Sequence, residues 1–330
     1  KKLLITLVLT SLPCAAMDKV QLYLKWKHQF QFAGYYMALE KGYYQSEGLD
    51  LEIIERDIKW TTLEKVGNEV GRYGISDTSI LFEYLEGKPI IIVSSVFQHS
   101  PLVLATRTED KIVSPIELKG KRVMYQKNID DAIFKIMFEN SGLKESDIIY
   151  VPHSMNNDDL INKKVDAISI YSTNQPFYYQ QKGIDIHIIN PLNYGVDLYC
   201  DTLFTSKNEA DQHSERVRAM RRATIKGWYD ALNDIEGTAK LIKEKYSPEA
   251  DLQKLIFEGH ETKKIIRPNL VSVGSTSVGR LHRIANFYDR AFVDKGGDLK
   301  NIIFDHYIDS KKVLVPVSYT HLTLPTKRIV

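Results

Sequence analysis

Cysteine is scarce in this sequence: 330 residues contain only two, Cys14 and Cys200. Cys14 lies in an amino-terminal stretch that we expect to be cleaved, which leaves Cys200 alone. One cysteine cannot form an intrachain disulfide or a cysteine metal cluster. We therefore predict that Cys200 is a small buried residue. His28 and His99 have no carboxylate or second histidine at ligand spacing, so the sequence predicts no metal site.

An excess of charge of one sign is also lacking. Lys and Arg number 44 and Asp and Glu number 42, so the composition does not predict binding to nucleic acid or to an anionic membrane. The motifs GxGxxG, GxxxxGKS/T, HExxH and GxSxG do not occur, which removes the signatures of nucleotide-phosphate binding, zinc proteases and serine hydrolases. The sequence therefore favours binding over catalysis and predicts no cofactor.

The amino terminus has the pattern of a secretory signal. Two lysines precede an apolar run over residues 3–10, and the small residues Ala15 and Ala16 follow. We predict a signal peptide over residues 1–16 and hence a periplasmic protein. The apolar run is too short to span a membrane. Lipidation at Cys14 is the weaker alternative, because Pro13 stands where a small residue is required.

The other terminus looks foreign. The letters VSYTHLTLPTKR resemble a translated sequencing adapter, so we treat residues 317–330 as a non-native tail. What followed about Pro316 in the natural protein is then open.

Alternating strand and helix patterns are abundant in the remaining chain, and its length suits two α/β lobes. Residues 20–54 predict a strand, a loop, a helix and a second strand. The loop that contains Trp26 follows a strand and precedes a helix, where α/β sheets bind ligands. The apolar run at residues 90–96 predicts a strand of a parallel central sheet. A return strand is expected at residues 203–205. Later helices, expected to cover the first lobe, are predicted at residues 215–232, 237–246 and 252–265.

Several separate blocks resemble one family. They are LKWKHQFQFAGYYMALEKGYYQSEGLDLEI, YGISDTSIL, GKPIIIVSSVFQHSPLVLAT, LKGKRVM, DDLINKKVDAISIYSTNQPF, YGVDLYCDTLFTS and KGWYDAL. These blocks are similar to the thiamine-pyrimidine-synthase-like (NMT1/THI5-like, SsuA/THI5-like) periplasmic solute-binding proteins. The resemblance implies an α/β periplasmic-binding-protein fold of type II, with two lobes joined by two crossover segments. It places the first lobe at residues 17–105 and 201–316 and the second at residues 106–200.

Several side chains are candidate ligand-binding residues, and Tyr171, Asn174 and Asp197 would face the cleft if the fold is the one that the resemblance implies. Trp26 and Phe30 would stack on a planar ring, or wedge the helix onto the sheet. Gln29 would exchange hydrogen bonds with a heterocycle, together with Gln31, or satisfy loop amides. Asp77 would accept from an amino group of the ligand, cap a helix, or do both. The full predicted set is Trp26, Gln29, Phe30, Asp77, Thr78, Ser100, Tyr171, Asn174 and Asp197.

The function that the resemblance implies is an exported protein that closes on a small planar heterocycle, a thiamine pyrimidine precursor, for an ABC importer. One alternative is the periplasmic sensor module of a histidine kinase or diguanylate cyclase whose signalling domain has been lost. The blocks HQFQFAGYY and FQHSPL are most similar to that group. A second alternative is a thiamine pyrimidine synthase, which would use iron. Only Cys200 stands where the synthases have a cysteine-rich block, so we expect no enzyme.

Overall fold

A computed structural model describes residues 16–127, 132–288 and 299–313. The predicted signal peptide, except Ala16, and the predicted foreign tail lie outside these residues. Within the described ranges, no helix is long and apolar enough to cross a membrane.

The strands and helices alternate along most of the chain, as expected for an α/β protein. The strands are β1 (Asp18–Tyr23), β2 (Leu49–Ile54), β3 (Arg72–Ser76), β4 (Ile90–Phe97), β5 (Leu102–Arg107), β6 (Arg122–Tyr125), β7 (Ile149–Pro152), β8 (Ala167–Tyr171), β9 (Ile186–Ile189) and β10 (Cys200–Ser206). The helices are α1 (Ala33–Glu40), α2 (Tyr43–Ser46), α3 (Thr62–Val66), α4 (Ile80–Leu85), α5 (Ala132–Asn140), α6 (Asp158–Ile161), α7 (Gln175–Gln181), α8 (Lys207–Gln212), α9 (Ser214–Asn233), α10 (Ile235–Lys245), α11 (Leu252–Ile266), α12 (Val278–Tyr288) and α13 (Phe304–Val313).

The first sheet has the order β2-β1-β3-β10-β4 and is mixed. Strand β1 pairs in parallel with β2 and β3, whereas β10 is antiparallel to both β3 and β4. The prediction that residues 90–96 belong to a parallel central sheet is therefore wrong. Every residue of β4 is buried although β4 ends the strand order. Its outer edge meets isolated bridges from Ile303 and Gly274, which cover it.

The second sheet has the order β7-β6-β8-β5-β9. Strand β6 is parallel to β7 and β8, and β5 is antiparallel to β8 and β9. The boundary placed after residue 105 falls inside β5, whose partners are all in this sheet. The boundary placed after residue 200 falls at the first residue of β10, where the chain returns to the first sheet. Residues 98–101 and 190–199 form the two crossovers.

The long helices bury the first sheet. Two glycines allow helices α1 and α9 to pack closely against each other. Helix α1 lies against α9, where Gly34 faces the ring of Trp228 and Gly227 faces the backbone of α1. Helices α10 and α11 pack in the same core. The helical tail was expected to cover the first lobe, but helix α12 contacts both lobes. Its Leu281 and Ile284 belong to a core that contains residues of both sheets.

Candidate functional site

A lysine lies at the centre of the cleft between the lobes. Lys25 follows β1, and its Nζ atom contacts the carboxylate of Asp77 and lies 2.6 Å from Oδ1 of Asp201. The same ammonium lies 3.3 Å from Sγ of Cys200 and 3.4 Å from the hydroxyl of Tyr171. Tyr171 ends β8 in the second sheet, while the other groups belong to the first. Lys25 therefore joins polar groups of both lobes at one point.

Burial and charge act in opposite directions on this cluster. Burial by itself would lower the pKa of Lys25, but the carboxylates of Asp201 and Asp77 raise that pKa well above its usual value. Burial raises the pKa of Asp201, and the Lys25 ammonium partly offsets the effect. Burial also raises the pKa of the Cys200 thiol well above its usual value. At neutral pH the cluster therefore has a charged lysine beside a neutral thiol.

The backbone at Asp201, one of the residues that contact Lys25, adopts a strained conformation. Asp201 has a φ angle of 47°, in the left-handed region that non-glycine residues rarely adopt. Its side chain is 0% exposed, and Oδ1 accepts a hydrogen bond from Nε2 of Gln31 at 2.8 Å. Such conformations cost about 1 to 3 kcal/mol and concentrate at functional sites. The strain marks Asp201 as a residue held in place for the site.

A chain of amides runs from this cluster to a second carboxylate. Gln29 donates to Gln31, and Asn174 Nδ2 donates to Gln29 Oε1 at 3.0 Å. Asn174 Nδ2 also donates to Oε1 of Glu258 at 2.5 Å. Gln31 in turn donates to Asp201, so Gln29 and Gln31 donate towards Asp201, whereas Asn174 donates both to Gln29 and to Glu258. Asn174 comes from the second lobe, so the chain crosses the cleft.

Glu258 is a buried carboxylate on α11. Its Oε2 atom accepts from the backbone N–H of Phe30 at 3.1 Å. Burial raises the pKa of Glu258 to about 7, although Lys254 and the Phe30 N–H act to lower it. Glu258 therefore changes charge near neutral pH.

The structure brings four of the predicted residues together and places them at the cleft. Asp77 and Tyr171 contact Lys25, while Gln29 and Asn174 belong to the amide chain. The side chain of Asp77 turns towards Lys25 and Cys200 Sγ, which donates to it at 2.8 Å. Helix α4 begins after Ser79, without a side-chain cap. The capping alternative for Asp77 is therefore wrong.

Two aromatic predictions have different outcomes. Phe30 is fully buried, and its ring contacts α11 beside Gly259 in the core of the first lobe. The ligand contact predicted for Phe30 is thus corrected to the wedge alternative. The Trp26 side chain, next to Lys25, is 50% exposed, so it is not a core residue.

The remaining predicted residues make contacts at the crossovers, and Asp197 joins one crossover to the other. Asp197 Oδ1 lies 2.7 Å from Nδ1 of His99 and 2.6 Å from a guanidinium nitrogen of Arg280. Thr78 is buried and donates to the carbonyl of Tyr199. Ser100 Oγ accepts from the N–H of Leu102 at 3.3 Å. For Thr78, Ser100 and Asp197 these contacts place the side chains at the crossovers rather than in the Lys25 cluster.

Three residues of the site, Lys25, Asp201 and Glu258, are not among those predicted from the sequence. A lysine directly after an apolar strand and before Trp26 was an available signal for the first. Asp201 alternated with apolar neighbours and so resembled a solvent-facing strand position. Glu258 occupies an ordinary polar position of a helical pattern, which gives no signal of its own.

Among the residues that the structure describes, one group of side chains has the spacing of a metal-ligand set. One ligand atom each from Asp77, Cys200 and Asp201 lie within 4.8 Å of one another. The Lys25 ammonium contacts all three side chains, and the Cys200 thiol stays protonated at neutral pH because burial raises its pKa. A metal-bound cysteine must be a thiolate. These residues, as arranged, do not fit the iron that a synthase would require.

The chain is similar to a known protein family and to several proteins named for the small molecules that they bind. A family model described as NMT1/THI5 like matches residues 29–237. The riboflavin-binding protein RibY of Chloroflexus aurantiacus is 22% identical over 253 residues, which cover 73% of this chain and 70% of that protein. A formylaminopyrimidine-binding protein of Halalkalibacterium halodurans is 25% identical over 220 residues, which cover 64% of this chain and 66% of that protein.

Solved structures with a similar fold include the periplasmic aliphatic sulphonate binding protein SsuA of Escherichia coli. It has a TM-score of 0.67 at 12% identity and covers 86% of this chain and 98% of its own. SsuA of Xanthomonas axonopodis pv. citri, bound to MOPS, has a TM-score of 0.64 at 14% identity and covers 88% of this chain and 99% of its own. The predicted two-lobed periplasmic-binding-protein fold is confirmed.

Proposed function

The chain belongs to the NMT1/THI5-like family, whose model matches residues 29–237, and from that premise we propose that it is an exported solute-binding protein. Its ligand is a small planar nitrogenous heterocycle of the thiamine-pyrimidine-precursor class, which it delivers to an ABC importer. A periplasmic location is supported by the basic, apolar and small-residue pattern of residues 1–16 and by the periplasmic proteins that share the fold.

The observation that carries this proposal is the Lys25 cluster, because it combines hydrogen-bond acceptors and donors where the lobes meet. Asp77 and Asp201 can accept from amino groups of a heterocycle, and Lys25 and Tyr171 can donate to ring nitrogens or carbonyl oxygens. Two relatives are named for flat nitrogenous ligands, a formylaminopyrimidine and riboflavin. Closure of the two lobes would bury such a ring and fix its orientation.

A sensor role is a second candidate, supported by the blocks HQFQFAGYY and FQHSPL. It uses the same Lys25 cluster, so the two roles differ in the partner and not in the ligand. Co-purification with an ABC permease in the presence of the ligand supports import. A signalling domain encoded after residue 316 in the natural reading frame supports the sensor.

The ligand class is tested by calorimetric titration with three compounds: a formylaminopyrimidine, riboflavin and MOPS. We expect the formylaminopyrimidine to bind and to change tryptophan emission, and we expect MOPS to leave both signals unchanged. Riboflavin tests whether the cleft accepts a larger ring system. Binding of MOPS with no response to either heterocycle would show that the proposed ligand class is wrong.

Trp26 provides a sharper test, because its half-exposed ring can form a wall for the ligand. Trp26→Ala should weaken binding about 10-fold, since lost stacking and apolar burial exceed about 1.4 kcal/mol. The melting temperature should change little, because the ring is 50% exposed. Trp60→Phe is the control for emission, as Trp60 packs edge-on against Tyr23 at 5.6 Å. A large loss of stability with unchanged affinity would make Trp26 a structural residue.

A further inference from the structure

Glu258 contacts both lobes through its two oxygen atoms. Oε2 is held by the first lobe, because it accepts from the Phe30 N–H at 3.1 Å. Oε1 accepts from Nδ2 of Asn174, directly before α7 in the second lobe, at 2.5 Å. Glu258 is only 3% exposed, so neither contact is a surface pair that water would readily replace.

We infer that Glu258 is a positioning residue that latches the second lobe onto the first by accepting the Asn174 amide while the Phe30 N–H holds it in place. The latch concerns closure and can be measured without any ligand, so it is independent of the proposed ligand class. Nothing in the composition or the motifs of the chain singles out this residue.

The surroundings of Glu258 favour a specific contact over general packing. The rings of Phe177 on α7 and Phe257 on α11 lie 5.7 Å apart and add an apolar contact across the same seam. Lys254, one turn earlier on α11, has its ammonium 3.8 Å from Oε1. Burial raises the pKa of the nearby Tyr36 on α1 well above its usual value, and Glu258 adds to that rise. On the second lobe, the group that donates a hydrogen bond to the Glu258 carboxylate is the neutral amide of Asn174.

An amide in place of the carboxylate cannot accept from both the Phe30 N–H and Nδ2 of Asn174, because only one of its two terminal atoms is an acceptor. If the Gln oxygen accepts from the Phe30 N–H, the Gln nitrogen faces Nδ2 of Asn174, so two donors oppose each other. If the side chain turns over, the two donors meet at Phe30 instead. Glu258→Gln keeps the size and shape of the side chain, so it removes the latch with little change in packing.

A charge swap can restore the contact. In the double variant Glu258→Gln with Asn174→Asp, the Gln oxygen accepts from Phe30 and the Gln nitrogen donates to the new carboxylate. The Gln29 amide, which accepts from Asn174 in the wild type, must turn to donate to that carboxylate. Asn174→Asp alone places a partly exposed carboxylate against the buried carboxylate of Glu258 and should open the lobes. Restoration by the second substitution would not be expected if Glu258 only filled space.

The experiment measures energy transfer between dyes at Ile58→Cys in the first lobe and Met155→Cys in the second. Both positions are exposed and Cys200 is buried, so labelling is selective in protein that lacks residues 1–16 and hence Cys14. Ligand-free protein is measured at pH 8.5, where Glu258 is ionised. Each single variant should change the transfer efficiency in the direction of separated lobes, and the double variant should regain most of the wild-type value. Glu261→Gln, which removes an exposed pair to Lys264 on the same helix, is the matched control and should have no effect.

Two results would overturn the latch. One is a transfer efficiency for Glu258→Gln that equals those of the wild type and of Glu261→Gln. The other is a double variant no closer to the wild type than the single variants, while urea unfolding shows it to be folded. Calorimetry with the formylaminopyrimidine is run on the same proteins. Its failure with the wild type would count against the ligand class and leave the latch result standing.

Discussion

At the scale of single residues, Lys25 neutralises charge that the core could not otherwise hold. Two carboxylates, Asp77 and Asp201, meet its ammonium away from bulk water. An isolated buried carboxylate is costly, so an ion pair of this kind is held mainly by the penalty for leaving either partner alone. The lysine therefore has a structural task in addition to any contact with a ligand.

Replacement of Lys25 tests its role in neutralising the two carboxylates. Lys25→Met removes the ammonium but keeps most of the side-chain volume, and it should lower the free energy of unfolding by about 3 to 5 kcal/mol at pH 8. Without the ammonium, the pKa of Asp201 rises further, and the folded protein takes up a proton as the pH falls. Stability is therefore regained at lower pH, and the loss should be smaller at pH 5.

The measurement is urea unfolding of both proteins at the two pH values. Lys27→Met is the matched control, two residues along the chain. Its ammonium lies 2.9 Å from Glu55 at the surface, where such a pair contributes about 1 kcal/mol or less. An equal loss for the two variants, or a loss at position 25 that does not depend on pH, would contradict the electrostatic role of Lys25.

The sequence could identify some of the site because strand ends meet there. Asp77 and Asn174 lie just beyond the carboxyl ends of β3 and β8, and Tyr171 ends β8, so the fold class alone brings them to the cleft. Asp201 and Glu258 could not be found in this way. The first depends on a left-handed backbone inside a strand, and the second on a helix packed against the loop after β1.

At the scale of elements, the pair α1 and α9 shows how close packing depends on glycine. A Cβ atom on Gly34 would lie 2.1 Å from Cγ of Trp228. A Cβ atom on Gly227 would lie 2.1 Å from the carbonyl oxygen of Gly34. Neither helix can therefore approach the other as closely if either glycine gains a side chain.

Alanine at these positions should loosen the helix pair. We expect Gly34→Ala to lower the free energy of unfolding by about 1 to 3 kcal/mol, the usual cost of overpacking a core. Gly279→Ala in α12 is the control, because the nearest atom to its Cβ is 4.0 Å away. That change should be neutral or stabilise by about 0.5 to 1 kcal/mol, since alanine favours a helix. Thermal unfolding of both variants tests the difference, and equal effects would contradict it.

Element positions followed well from sequence patterns, whereas strand direction did not. Helices predicted at residues 215–232 and 252–265 are found at Ser214–Asn233 and Leu252–Ile266. Periodicity and capping residues are local, so they carry this information. The direction of β4 is not local. Strand β4 is buried along its whole length because both of its faces and its edge are covered. Such coverage is possible for a parallel or an antiparallel strand, so the apolar pattern does not reveal the strand direction.

At the scale of the whole molecule, the segment before and within α12 ties the two crossovers together. Arg280 donates to the carbonyl of Gln98 in the first crossover and bonds Asp197 in the second. Its guanidinium also lies 4.1 Å from the ring centre of Tyr199, close enough for a cation–π contact. The Tyr199 hydroxyl accepts from the N–H of Ser277 at 3.0 Å. The lobes thus meet at a hinge that a third segment holds.

Removing the guanidinium should loosen this hinge as a unit. Arg280→Met keeps the apolar stem over Tyr199 but loses the charged hydrogen bonds to both crossovers, which should cost about 1 to 3 kcal/mol of unfolding free energy. Hydrogen exchange should accelerate in residues 98–101 and 196–199 together, because one side chain joins them. Arg283→Met, at an exposed position of the same helix, should change neither quantity. Faster exchange in only one crossover, or equal effects of the two variants, would show that Arg280 does not couple them.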